Sequence, residues 1–123
     1  MNDILKSFID DIKTVPGYIA VSITEIESGV AYESNTADES FDPNLAAAYN
    51  LEVVKAKLNA IEALELDEQI EDITITLSTQ VHIINIAPSK AYFIYLAIDS
   101  GKANLGITKS LLNKHKKALY KAI

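Results

Sequence analysis

Leu5, Phe8, Ile9 and Ile12 recur at helical spacing near the start of the chain, opposite Lys6, Asp10 and Lys13, and Pro16-Gly17 ends the pattern. A helix that buries one stripe has this period, and a Pro-Gly pair stops it. From Tyr18 to Ile26 the residues turn β-branched, Ser28-Gly29 makes a turn, and Val30 to Ser34 returns, which predicts a hairpin. Asn35 to Asp42 is polar and reads as a loop, and Asp42-Pro43 opens a helix that runs to about Leu64. Beyond it Ile73, Ile75 and Leu77 alternate with Asp72, Thr74 and Thr76, the pattern of a strand with one buried face at a sheet edge. Val81 to Ala87 is a further strand, turned at Pro88-Ser89. Ala91 to Ile98 carries no charge and is expected at the centre of the sheet, covered on both faces. Asp99-Ser100-Gly101 breaks it, and Asn104 caps a last helix with Leu105, Leu112 and Leu119 along one face. The order α-β-β-α-β-β-β-α predicts an α/β sandwich of α+β type, a five-stranded antiparallel sheet with helices on both faces.

The middle helix is the most informative segment. On a projection of about 100° per residue, Ala47, Leu51, Val54, Leu58 and Ile61 form one apolar stripe, and Ala46, Tyr49, Val53, Ala56, Ala60 and Ala63 form a second, roughly 150° away. A helix lying on a sheet needs one such stripe. The second calls for another cover, and its small residues at spacings of three and four suit a close helix pairing about a two-fold axis. The spacing therefore predicts a homodimer, or a heterodimer with a paralogue, whose interface takes in Ala46, Tyr49, Val53, Ala56, Ala60 and Ala63. The unpaired edge that carries Ile73 and Ile75 is expected to extend the same interface. The competing account is that alanine, the best helix former, simply sits half exposed here.

The chain has 123 residues, enough for one domain over residues 1–123. Net charge is −6, and all eleven basic residues are Lys, so there is no guanidinium to clamp phosphate or act as an arginine finger. The acidic balance argues against nucleic acid as a partner. Cysteine is absent, which excludes thiolate zinc sites, thiol catalysis and disulfides, and fits a reducing cytoplasm. Neither a secretory signal nor a membrane-length apolar run is present, so the chain reads as soluble, with no membrane insertion.

Candidate chemistry is sparse. Gly101-Lys102 lacks the rest of a phosphate loop, and no Ser stands in a nucleophile elbow. His82 and His115 fall on different elements without metal-ligand spacing and read as packing or surface residues. Glu25 and Glu27 share a strand face at its solvated end. Glu65, Asp67, Glu68, Glu71 and Asp72 either steer a basic partner or keep a loop soluble. No catalytic residue, cofactor site or metal site is expected.

The run PGYIAVSITEIESGVAYES, the helix NLAAAYNLEVVKAKLNAIEAL and the closing FIYLAIDSGKANLGITKSLL, with its turn at Asn104, Leu105 and Gly106, resemble the Roadblock/dynein light-chain family over about Ile4 to Leu119. Ala20 stands where many members carry Gly, and Lys109 where a basic residue, often Arg, is usual. The resemblance implies a Roadblock/profilin-like fold and a non-enzymatic dimer with a continuous sheet. Its implied partners are small Ras-like GTPases, dynein intermediate chains or signalling scaffolds, with a GTPase typical for bacterial and archaeal members. Two alternatives stay open at this point: a small-molecule sensor of PAS or GAF type, which requires an internal pocket, and a purely structural scaffold subunit.

Overall fold

A computed structural model of the chain describes residues 2–123. Helix α1 (Asn2–Ile12) buries Leu5, Phe8, Ile9 and Ile12, the residues its period singles out. A hairpin follows, β1 (Tyr18–Glu25) and β2 (Ala31–Thr36), then the long α2 (Pro43–Ala63). Three strands come next, β3 (Ile73–Thr76), β4 (Gln80–Ile86) and β5 (Tyr92–Asp99), and the chain closes with α3 (Leu105–Lys114) and α4 (Lys116–Ala122).

The strands form one antiparallel sheet in the order β2-β1-β5-β4-β3. As expected, β3 lies at an edge and β5 at the centre, with Tyr92 to Ile98 all buried. Successive side chains of a strand point to opposite faces, so β5 feeds two cores. Tyr92, Ile94, Leu96 and Ile98 join Leu5, Phe8, Ile12, Leu112 and Leu119 beneath α1, α3 and α4. Phe93, Tyr95 and Ala97 join Ala47, Leu51 and Val54 beneath α2. One sheet face thus has three helices over it and the other has one.

Local chemistry sets the helix starts. The Asp42 carboxylate accepts hydrogen bonds from the Asn44 and Leu45 amides at 3.0 and 3.1 Å, and Pro43 occupies the first turn of α2. Asn104 Oδ1 accepts from the Ile107 amide at 3.0 Å and starts α3. Between α1 and β1, Gly17 adopts φ +79° while its carbonyl accepts from the Asp99 amide at 2.7 Å, tying this turn to the end of β5.

Three expectations need correction. The returning strand is Ala31–Thr36 and not Val30 to Ser34: a register shift between Ile23 and Thr24 displaces the pairing, and the Ala37 amide extends it by donating to Ile19 O. Asn35 and Thr36 therefore belong to the strand and not to the loop, whereas Val30 stays in the turn, 64% exposed.

The last helix is two helices, broken at His115. There the ring reaches back to Asp11 on α1, with Nε2 to Oδ2 2.7 Å, and meets Phe8 edge-on. Its buried positions are Thr108, Leu112 and Leu119, whereas Leu105, in the first turn of α3, is exposed. Finally, Leu58 and Ile61 are only half-buried, so the sheet-facing stripe of α2 is fully covered only from Ala47 to Val54.

The candidate interaction surface

Ala46, Tyr49, Val53, Ala56, Ala60 and Ala63 lie along one side of α2, roughly 150° from the stripe that seats the helix on the sheet. Tyr49 is 73% exposed. Ala56 and Ala63 are also exposed, and Ala46, Val53 and Ala60 are half-buried. The chain itself covers this stripe only in part. Lys55, Glu52, Asn59 and Glu62, all exposed, fill the gap on one side.

Ile73 and Ile75 pair with Ile84 and His82 of β4, which places them on the sheet face that carries α2. Both are half-buried, whereas Thr74 and Thr76 between them are exposed on the other face. Ala46 packs against the same buried cluster as Ile73 and Ile75, so the helix stripe and the edge strand flank one region of the molecule. β3 pairs with β4 on one side only, leaving its outer backbone unpaired within the sheet.

The exposed apolar surface extends beyond the predicted set. Leu45 is 55% exposed, Leu64 68% and Leu66 47%. Leu45 precedes Tyr49 by four residues, a spacing that puts the two on one helix face and that the sequence offered as a signal. Leu64 and Leu66 flank Glu65, whose φ of +54° ends the helical path, and nothing local in the sequence announces that conformation.

Beneath this region, His82 is held between Tyr95 and Gln80. Gln80 Oε1 lies 2.8 Å from Nε2 and can only accept, so Nε2 carries the proton. Nδ1 is then left to accept from the Tyr95 hydroxyl, 3.1 Å away. Phe41 meets the ring edge-on. Burial lowers the His82 pKa and raises that of Tyr95. Beside them Ser22 and Thr24, both fully buried, share a hydrogen bond of 2.7 Å. These polar side chains satisfy one another, and His82 is a packing residue of the sheet, as is His115 against Phe8.

The acidic segment after α2 divides. Asp72 receives Lys109 Nζ at 3.1 Å and the Thr74 hydroxyl at 2.8 Å. Partial burial pushes its carboxyl up, yet those two partners and nearby Lys116 hold it below the ordinary value. Glu65, Asp67 and Glu68 stay exposed. Glu25 hydrogen-bonds Ser28 and Tyr32, which lowers its pKa. Among the described residues no group of three or more His, Asp or Glu is placed to hold a metal ion, and no helix is long and apolar enough to cross a membrane. The recess between the C-terminal part of α2 and the β4–β5 turn, lined by Leu58, Ile61, Ile70 and Ile86, holds about 20 Å³. That is space for roughly one water, while Leu58 and Ile61 also line a more open depression of about 450 Å³ together with Glu65, Asp67 and Glu68.

No family model and no curated protein matches the sequence. Solved structures do match the fold. MglB of Myxococcus xanthus superposes with a TM-score of 0.84, covering 98% of this chain and 87% of that one at 13% identity. A Roadblock/LC7 domain from Streptomyces avermitilis gives a TM-score of 0.79 over 99% and 96% of the two chains at 9% identity. The gliding protein MglB of Thermus thermophilus gives 0.78 over 97% and 87% at 13% identity. At these identities the likeness speaks for architecture, and with the strand order, the single helix over one sheet face and the element sequence it is sufficient: the chain has the Roadblock/LC7 fold.

Proposed function

We propose that the chain is a dimeric, non-enzymatic interaction module that binds and regulates a small Ras-like GTPase, and that its dimer partner is a second copy or a close paralogue. The observation that carries the pairing is the incompletely covered apolar side of α2, with Tyr49 and Ala56 exposed and Val53 and Ala60 half-buried, on the same sheet face as Ile73 and Ile75 of the unpaired edge strand β3. Small residues at helical spacing let two helices approach closely, and a patch complementary to itself suits a two-fold axis. On that axis the two β3 edges, with Ile73 and Ile75 beside them, would pair as one sheet.

The GTPase reading rests on the fold and on what the Roadblock resemblance implies, and the MglB structures are among those similar to this one. With no Arg in the chain, any acceleration of hydrolysis must come from repositioning the GTPase's own groups. Sedimentation at micromolar concentration tests the pairing. A species of twice the 13.5 kDa chain mass is expected, and a lone 13.5 kDa species overturns it. Affinity capture from the source cell, followed by GTP turnover with and without the chain, tests the partner. Recovery of a Ras-like GTPase whose turnover or nucleotide exchange changes supports the reading, and absence of any GTPase rejects it.

A further inference from the structure

We propose that the α3–α4 side of the molecule is a second docking surface, which takes an acidic segment of a partner protein anchored by one apolar side chain. After Asp99 the chain carries Lys102, Lys109, Lys114, Lys116, Lys117 and Lys121 and no acid, so a protein of net charge −6 has a pole of opposite sign. Within that pole Lys109 is engaged by Asp72 at 3.1 Å, and Lys114 stands 3.8 Å from Asp11. Lys116, Lys117 and Lys121 make no ion pair among the described residues. On α4, Lys116 and Lys117 precede Tyr120 by four and three residues and Lys121 follows Lys117 by four, the spacing that makes side chains neighbours on a helix surface.

The same three lysines and Tyr120, with Pro88 of the β4–β5 turn and Asn113, line one open depression of about 540 Å³. Tyr120 is 54% exposed, whereas its neighbour Leu119 is fully buried and already anchors α4 to the core. The tyrosine ring and the proline are therefore free to receive an apolar side chain, with ammonium groups on either side for carboxylates. Aromatic anchors ringed by charge are common centres of binding energy.

Charge complementarity selects an acidic occupant, and the shape selects a peptide over a lipid surface. Only Tyr120 is available on α4 to insert into a bilayer, and the molecule's overall negative charge opposes an anionic membrane. α3 and α4 lie on the sheet face away from α2, so this surface stays open in a pairing through α2 and is independent of it.

Fluorescence anisotropy of the full chain tests the proposal, with a labelled peptide of alternating Glu and Asp around one central Leu as the probe. Saturable binding is expected, weakening as salt rises from about 50 to about 300 mM because screening shortens the reach of these charges. The double variant Lys117→Glu, Lys121→Glu should weaken it by about tenfold or more. Tyr120→Ser, and separately a peptide with Ser in place of Leu, should each weaken it roughly threefold or more. Lys117→Gln with Lys121→Gln gives a smaller loss with helix propensity kept, and circular dichroism of each variant verifies the fold. Failure of the wild-type chain to bind, equal binding by the charge-reversed variant, or binding to phosphatidylserine vesicles with none to the peptide overturns the assignment.

Discussion

Gly17 has little freedom to change. At φ +79° an added Cβ would stand 2.9 Å from the Asp99 carbonyl oxygen and 3.2 Å from Lys102 Cβ, between backbone and a neighbouring turn that cannot both retreat. Gly17→Ala is therefore expected to cost about 1 to 3 kcal/mol, read as a lower midpoint in urea unfolding. His82 makes a second residue-scale prediction. In the unfolded chain its imidazole accepts a proton near about pH 6.5. In the fold, burial lowers its pKa, so below that pH the unfolded state binds more protons. Its contribution to stability is complete above about pH 6.5, declines as pH falls and levels off once the folded ring titrates too. Urea midpoints between pH 7 and pH 5 should fall more steeply for the wild type than for His82→Gln. The loss from Asp72 belongs to lower pH, because its folded pKa is depressed and its contribution fades only below the ordinary carboxylate range. That the two histidines fall on different elements was legible from the sequence. Their true companions were not, since Tyr95 and Asp11 lie 13 and 104 residues away along the chain.

At the scale of elements, periodicity carried most of the information. α1, the one-faced β3 and the β5 built on the uncharged run to Ile98 all stand where their patterns put them, because each pattern reports how many faces an element buries. Boundaries that depend on contact geometry were hidden: the irregular pairing after Ile23 that moves β2, and the break at His115, where the ring meets Asp11 of α1. The candidate interface was legible as a second stripe on α2, and the spacing of Leu45 to Tyr49 adds that residue; the extension to Leu64 and Leu66 was not legible, since it depends on where the helix ends and the chain turns. Ala56→Glu puts this stripe to the test. Ala56 is exposed, so the stability of the single chain should change by less than about 0.5 kcal/mol. Across a helix pairing the same carboxylates would meet their own copies, and the dimer should dissociate about tenfold or more readily, measured by sedimentation over a dilution series. Asn59→Glu, on the polar side of the helix, should leave the sedimentation profile unchanged.

The whole molecule is asymmetric about its sheet: three helices cover one face and α2 alone covers the other. Net charge and composition excluded classes of function, but the arrangement of those charges emerges only in three dimensions, where Asp72 takes Lys109, with Lys116 nearby, and leaves Lys117 and Lys121 exposed. The uneven cover yields a prediction about local opening. Amide hydrogen exchange in β3 should slow as protein concentration rises through the micromolar range, while exchange in β2 should not change. Equal protection of β3 at all concentrations would show that its edge takes no part in assembly. β2 bounds the opposite rim of the sheet, and Tyr32, Glu33, Ser34 and Asn35 there are all only half-buried. That rim does not repeat the isoleucines of β3, so copies that paired through β3 as proposed would finish as a closed couple, with only the more polar β2 edges left at its two ends.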